Sequence, residues 1–252
     1  MNFYDLPKYK RVALVERIKQ EIFTDLENNT SARLHKYFSD NDTYIRKTAY
    51  FAIGKFYFAH KNLQTKILRV LKNLFQNKNE KVRQTAVNAL GEIGKREADK
   101  VLPVFEKAFL DSHYSVRNAV IGSLKKMGEK NQKPVLAFSK RFLHDQNPEV
   151  RRQAVHGIEL RGRTHPEEVL PLLSQLQDET DRRVRNMVIH VLGQISYKEG
   201  CLGKVVAALG KWKNKEMVKH AIKEILDTHK SYEKFSAKSY QEAKEYLWTT
   251  HL

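Results

Sequence analysis

The chain of 252 residues contains 46 Lys and Arg against 29 Asp and Glu, so its formal net charge is +17 and its pI is near 9.8. No apolar run approaches the roughly 20 residues that a membrane-spanning helix needs, and the first segment lacks the unbroken apolar core of a secretory signal. We therefore expect a cytoplasmic protein that does not insert into a membrane. The positive charge exceeds what solubility requires and predicts a polyanionic partner.

One segment of the sequence is repeated along the chain. Its clearest copy runs from Glu80 to Gly94 and begins with the pair Val82-Arg83. The same pair, or a weaker form of it, recurs at Ile45-Arg46, Val116-Arg117, Val150-Arg151, Val184-Arg185 and Val218-Lys219. A fixed period of 34 residues is typical of stacked helical repeats, in which no single repeat can bury its apolar face alone. The sequence predicts one all-α, right-handed α-solenoid over residues 1–252, present as a monomer.

In chain order, apolar residues at helical spacing first predict a helix from about Lys8 to Glu27 that caps the N-terminal end of the stack. About six helical hairpins are predicted next, over residues 31–57, 63–94, 101–128, 134–162, 166–196 and 202–227. Ser239 is followed three residues later by Glu242, a capping-box pattern. This pattern predicts a C-terminal capping helix within residues 239–249.

Several residues mark where the predicted helices begin and end. Asn147 can cap the second helix of the fourth hairpin, and Pro148 in the first turn supports the same helix boundary. Gly94, Gly128 and Gly162 share one repeat position, and we expect them to end helices with a positive φ.

The two tryptophans and the single cysteine are predicted to be structural. Trp212 and Trp248 are expected to be buried anchors. Cys201 can form neither an internal disulfide nor a cysteine-based zinc site, so we expect a small buried residue.

The short turn, the Val-Arg start of the second helix and the Ala and Leu positions after it resemble HEAT repeats. The segments Lys81 to Leu90 and Asn147 to Val155 carry this resemblance most clearly, and it covers residues 31 to 227. It implies an α-solenoid in which the second helix of each hairpin lines the concave face. HEAT families include protein-binding scaffolds, lyase-like repeats that handle bilin pigments, and bacterial glycosylases that excise alkylated bases.

Three positions of each second helix, counted as one, five and nine residues after the repeat arginine, lie outside the apolar stripe. Among these eighteen positions, only Glu92 and Glu224 are acidic. A polar surface with few carboxylates suits phosphate oxygens, whereas a protein-binding groove more often carries an apolar stripe. The residues predicted to bind DNA are Lys47, Lys55, Gln84, Asn88, Asn118, Lys126, Arg152, His156, Asn186 and His190.

The repeat arginines and a pair of histidines could each bind a ligand, but we expect both sets to have structural roles. The repeat arginines follow turns that contain Asp or Asn, which favours pairs between neighbouring repeats over a ladder for phosphates. These arginines are Arg46, Arg83, Arg117, Arg151 and Arg185. His156 and His190 lie one period apart, but the sequence offers them no third ligand. We predict polar surface groups there, with no metal and no cofactor.

Three segments resemble the C-terminal repeats of the bacterial HEAT-like DNA alkylation repair glycosylases: Glu149 to Ile158, His165 to Leu170 and Arg183 to Leu192. The resemblance covers residues 147 to 226. It implies a basic concave surface for duplex DNA and cleavage of the glycosidic bond of an N-alkylated base. Such cleavage needs a carboxylate near the developing oxocarbenium charge, and Glu92 and Glu224 are the candidates.

Three functions therefore stay open at the level of sequence. We predict a protein that binds duplex DNA through its concave face in the repair of alkylated DNA. The alternatives are a non-enzymatic scaffold for an acidic protein partner and a DNA glycosylase that acts on N-alkylated bases. No Gly-rich phosphate loop, Ser-His-Asp order or metal motif points to another activity.

Overall fold

The computed structural model describes residues 3–250, and in this range the chain forms helices and no β-strand. The predicted all-α class is confirmed. Each helix within residues 3–250 is too short or too polar to span a bilayer. The chain divides into two compact units, residues 1–123 and 124–252. That these form one continuous body stays a prediction.

The first unit consists of an N-terminal helix followed by helical hairpins. Its helices are α1 (Lys8–Glu27), α2 (Ala32–Phe38), α3 (Thr43–Ala59), α4 (Gln64–Leu74), α5 (Glu80–Glu97) and α6 (Leu102–Ala108). The next helix, α7 (Tyr114–Lys130), contains the boundary between the two units. The helix α1 has the predicted bounds. In this unit α3 packs against both α1 and α5, so the second helices lie side by side.

The second unit repeats the hairpin pattern. Its further helices are α8 (Gln132–Phe142), α9 (Pro148–Gly157), α10 (Glu159–Gly162), α11 (Pro166–Leu173), α12 (Arg182–Ser196), α13 (Leu202–Leu209), α14 (Lys215–Ser231) and α15 (Tyr240–Thr249). In this unit α12 packs against both α9 and α14, and α15 packs against α14. The second helix predicted for the fourth hairpin is divided, because α9 ends before Ile158 and α10 begins at Glu159.

The second helices α3, α5, α9, α12 and α14 each follow an Asp or Asn residue. The side chain of this residue accepts a hydrogen bond from a backbone N–H of the first turn, which would otherwise lack a partner. These caps are Asp42, Asn79, Asn147, Asp181 and Asn214. The predicted cap at Asn147 is confirmed. The capping box of Ser239 and Glu242 is also present at the start of α15.

Two of the repeat arginines hold their own turn and an acidic residue of the next repeat. Arg83 donates through Nη1 to the carbonyl oxygens of Asn77 and Lys78, and through Nε and Nη2 to the carboxylate of Asp111 at 2.8 and 2.9 Å. Arg151 forms the same two-pronged pair with Glu179 at 2.7 Å. The predicted structural pairing is confirmed for both, although the partner of Arg151 is a glutamate.

The positive φ expected at three glycines is wrong, although Gly162 is the last residue of α10. Gly94 and Gly128 lie inside α5 and α7, and within residues 3–250 the glycine with a positive φ is Gly200, at 68°. Close packing explains Gly162 instead, since a Cβ added there would lie 2.4 Å from Cδ1 of Ile195.

The two tryptophans differ in their surroundings. Trp212 is 3% exposed and Cys201 is buried, as predicted. Trp248 is 79% exposed, so its predicted burial is wrong. The buried side of α15 carries Ala243 and Leu247, and successive helical residues are rotated by about 100°, which turns Trp248 away from that side.

Candidate functional site

The second unit contains a cluster of charged residues at a repeat position where other repeats carry glycine. The repeat position eight residues after the arginine carries Gly54, Gly91, Lys125, Glu159 and Gly193. At Gly91 an added Cβ would lie 2.6 Å from Cβ of Ser123, so glycine allows the neighbouring second helix to approach closely. Lys125 and Glu159 break that pattern in the middle of the array, and the sixth copy, counted from Lys219, carries Asp227 at this position.

The carboxylate of Glu159 is the centre of the cluster. Its side chain is only 3% exposed, and its oxygens lie 3.0 Å from Nζ of Lys125, 2.6 Å from Nη2 of Arg163 and 3.2 Å from Nε2 of His156. Arg163 also donates to the side-chain oxygen of Gln194. A buried carboxylate is stable only when charges and hydrogen bonds compensate its lost hydration, and this one has three such partners.

These partners keep Glu159 ionised. Burial by itself would raise the pKa of Glu159, but its contact with His156 and the positive charges of Lys125 and Arg163 outweigh it and lower the pKa to about 2. The cluster therefore contains a permanent negative charge at neutral pH.

Lys125 and His156 share a short hydrogen bond. Nζ of Lys125 lies 2.7 Å from Nε2 of His156. Burial lowers the pKa of the Lys125 amine, and this effect outweighs the attraction of Glu159. Burial also lowers the pKa of His156, and the charge of Lys125 adds to that effect. A neutral imidazole accepts the hydrogen bond that the Lys125 ammonium donates.

His190 connects the cluster to the neighbouring surface. Its Nε2 lies 3.8 Å from Glu159 Oε2, and its Nδ1 lies 3.4 Å from Oε1 of Glu224. The rings of His156 and His190 meet edge to face, with their centroids 6.0 Å apart. The sequence analysis found no third residue for this histidine pair. Glu159 is that residue, and the sequence indicated it by placing a glutamate at a repeat position that carries glycine in other repeats.

His156, Glu159 and His190 each offer one possible metal-ligand atom, and within residues 3–250 these three atoms lie within 4.8 Å of one another. Nζ of Lys125 already bonds to the atoms of His156 and Glu159. The ammonium therefore takes the position of a bound cation. The predicted lack of a metal stays a prediction.

A groove of about 530 Å³ lies between α12 and α14. Basic and amide side chains predominate in it over two carboxylates. Its lining residues are Arg182, Arg185, Asn186, Ile189, His190, His220, Lys223, Glu224 and Asp227. His190 belongs to both the groove and the charged cluster, so the two features form one continuous surface of the second unit.

Of the ten residues predicted to bind DNA, five are exposed and five are half-buried. The exposed ones are Lys47, Lys55, Asn118, Lys126 and Asn186, and the half-buried ones are Gln84, Asn88, Arg152, His156 and His190. The structure brings His156 and His190 together and places Asn186 with His190 in the groove. Arg152 is held by Glu149 at 2.8 and 2.9 Å. Their role in DNA binding stays a prediction.

The two candidate catalytic acids have different surroundings. Glu92 is 11% exposed, and its carboxylate lies 2.5 Å from Nζ of Lys95. Glu224 is 32% exposed and lines the groove beside His190. Glu224 is the more accessible carboxylate, although neither catalytic role has been tested.

The sequence analysis missed two exposed basic residues of the groove. Arg182 lies about one helical turn before Arg185, and Lys223 lies about one turn after Lys219. Residues three or four apart share a helix face, so a search one turn on either side of the repeat arginine would have found both.

Residues 31–125 and 135–209 match the family of HEAT repeats. Among solved structures, AlkD2 from Streptococcus mutans has 20% sequence identity and a TM-score of 0.59, with 79% of this chain and 98% of that chain covered. The protein smu.31 from Streptococcus mutans UA159 has 19% identity and a TM-score of 0.50, with coverage of 82% and 95%. A comparison with curated proteins finds no match. At these identities the likeness establishes a shared fold.

Proposed function

We propose that the chain, which belongs to the HEAT-repeat family, binds duplex DNA through the groove between α12 and α14. The observation that carries this proposal is the set of hydrogen-bond donors along the groove, where Arg182, Lys223 and Asn186 are exposed. Phosphate oxygens accept hydrogen bonds from such groups, and binding of this kind is independent of base sequence.

The charge of the whole protein supports the same partner. Both units carry more Lys and Arg than Asp and Glu, so the net charge of +17 is not confined to one segment. Of the two groove carboxylates, Glu224 lies beside His190, whose Nδ1 atom is 3.4 Å away. A positive surface of this extent attracts a polyanion over long range at low salt.

The sequence resemblance to HEAT-like alkylation repair glycosylases suggests DNA with N-alkylated bases as the substrate class. Glu159 is an unsuitable catalytic carboxylate, because it is buried and the positive charges of Lys125 and Arg163 already neutralise it. If the chain excises bases, Glu224 is the acid best placed to stabilise a developing positive charge. Release of methylated bases from DNA by wild-type protein, and its loss in Glu224→Gln, would test this second step.

The primary experiment is a titration of a fluorescent DNA duplex with the protein at several salt concentrations. The groove variant Arg182→Ala/Lys223→Ala should bind more weakly, and the slope of log K against log salt should fall by about 2, because two phosphate contacts are lost. Lys204→Ala/Lys211→Ala is the matched control, since it removes the same charge from exposed lysines outside the groove.

The two double variants separate groove binding from general attraction. Equal weakening by both would reject the groove as the binding site, and absence of duplex binding by the wild type would reject the proposed function. An acidic protein partner is the alternative, since Arg182 and Lys223 also suit carboxylates. Capture of a polyglutamate peptide at a salt concentration that abolishes duplex binding would favour that alternative.

A further inference from the structure

The environment of Lys125 differs from that of a phosphate-binding lysine. Its side chain is only 17% exposed, whereas the next residue, Lys126, is exposed. Nζ of Lys125 is held at 2.7 Å from a histidine nitrogen and at 3.0 Å from a carboxylate oxygen. A lysine that only attracts phosphate needs neither of these contacts. The histidine nitrogen is the contact that a nucleophilic amine needs, because it can accept the proton of the ammonium.

The hydrogen bond between Lys125 and His156 provides a path for the proton of the ammonium. Nε2 of His156 is the acceptor of this hydrogen bond when the imidazole is neutral, so a proton can pass from Nζ to Nε2 without another group moving. Burial lowers the pKa of the Lys125 amine, which increases the fraction of the uncharged, nucleophilic form.

We propose that Lys125 forms a Schiff base with the aldehyde of an abasic deoxyribose in DNA bound along the adjoining groove. The inference rests on the proposed DNA binding. An abasic nucleotide has no base to stack or pair, so its sugar can leave the duplex at lower cost than an intact nucleotide. His190 lines the groove, and its Nε2 lies 3.8 Å from the carboxylate of Glu159 that pairs with Lys125, so the amine is linked to the proposed DNA site through these two residues.

The steps balance without an oxidant, a reductant or a metal. After the ammonium proton has passed to Nε2 of His156, the uncharged Nζ attacks C1′ of the ring-opened sugar. His156 returns this proton to the hydroxyl group of the carbinolamine, which leaves as water and gives a protonated imine. His156 then accepts a proton from C2′, and the C3′–O bond breaks with release of the 3′ phosphate. Water hydrolyses the imine, which restores the Lys125 amine and leaves an unsaturated aldehyde on the other DNA fragment.

Glu159 stabilises the covalent intermediate. The protonated imine carries the positive charge that the ammonium carried before, and the carboxylate that lies 3.0 Å from Nζ remains ionised. The buried negative charge thus has a positive partner before and after the Schiff base forms. A neutral residue in place of Lys125 would leave Glu159 with one positive partner fewer, so the test uses the charged replacement Lys125→Arg.

The test is reduction with borohydride in the presence of a duplex that contains one abasic site. The wild type should give a covalent protein–DNA complex on a denaturing gel, and mass spectrometry of its peptides should locate the link at Lys125. Lys125→Arg retains the positive charge but cannot form an imine, so the complex should be lost. Lys130→Arg is the control, because Lys130 is an exposed lysine of the same helix.

Duplex binding measured on the same samples separates the two proposals. Loss of the complex in Lys125→Arg, with binding retained and Lys130→Arg unaffected, supports the inference. Binding without a covalent complex, or a complex that persists in Lys125→Arg, overturns the Schiff base and leaves DNA binding intact. Failure to bind either intact or abasic duplex overturns both.

Discussion

The ammonium of Lys125 and the carboxylate of Glu159 form an ion pair of 3.0 Å at a repeat position where the neighbouring repeats carry glycine. At Gly54 and Gly91 there is no room for a Cβ without displacing a residue of the adjacent helix. The second unit therefore exchanges a close helix contact for a buried polar cluster.

Replacement of Glu159 by Gln should destabilise the protein by about 3 kcal/mol, because Lys125 and Arg163 lose the charge that compensates their burial. Urea unfolding at pH 7 measures the effect. Glu167→Gln is the control, since Glu167 forms an exposed pair with Lys204 and its loss should hardly move the midpoint. Equal effects of the two variants would contradict a structural role of the cluster.

The contribution of Glu159 should depend on pH. Its folded-state pKa of about 2 lies below the ordinary value of 4.5, so the stabilisation is complete above pH 4.5 and is lost as the pH falls through 2. The stability difference between wild type and Glu159→Gln should be about 3 kcal/mol at pH 7, at about 1.4 kcal/mol per pKa unit, and should shrink towards pH 2. Urea titrations over this range check it, and a constant difference would refute it.

Two glycines of the first unit should respond to alanine in opposite directions. Gly91→Ala places a Cβ within 2.6 Å of Cβ of Ser123 and should destabilise the protein by about 1–3 kcal/mol. Gly122→Ala meets no atom within 4 Å and lies inside α7, so it should stabilise by about 0.5 kcal/mol. Thermal unfolding of both variants is the measurement. Destabilisation of similar size in both would show that packing does not select glycine at position 91.

The two tryptophans should also differ. Trp212→Ala removes a side chain that is 3% exposed and should cost about 3 kcal/mol or more. Trp248→Ala removes one that is 79% exposed and should change stability by less than about 0.5 kcal/mol. Chemical denaturation compares them. A large loss in Trp248→Ala would mean that this ring has a partner outside residues 3–250 or on another molecule.

The helices were predictable from the sequence because each repeat contains local residues that mark where its helices begin and end. The cap at Asn147, the apolar spacing of α1 and the capping box at Ser239 are local signals, and all three features occur in the structure. Such signals need no knowledge of distant residues. The glycine prediction failed because the reason for Gly162 is a contact with Ile195, more than thirty residues away.

The candidate site was only partly predictable for the same reason. The histidine pair was visible from its period, but its link to Glu159 depends on which faces of neighbouring helices meet. A comparison of whole repeat positions would have shown Lys125 and Glu159 as opposite charges among glycines. The groove residue Lys223 was missed because it lies four residues after Lys219, and only the positions one, five and nine residues after the repeat arginine were predicted to bind DNA.

The arginine pairs have a consequence for how the protein unfolds. Arg83 binds the carbonyl oxygens of its own turn and the carboxylate of Asp111 in the following turn, and Arg151 does the same with Glu179. Local opening of one turn therefore deprives a carboxylate of the next turn of its counter-ion. This raises the coupling energy between adjacent repeats relative to the energy of each repeat alone. Within each unit, hydrogen exchange should accordingly proceed through openings that involve two neighbouring repeats together, with little independent fraying of a single turn.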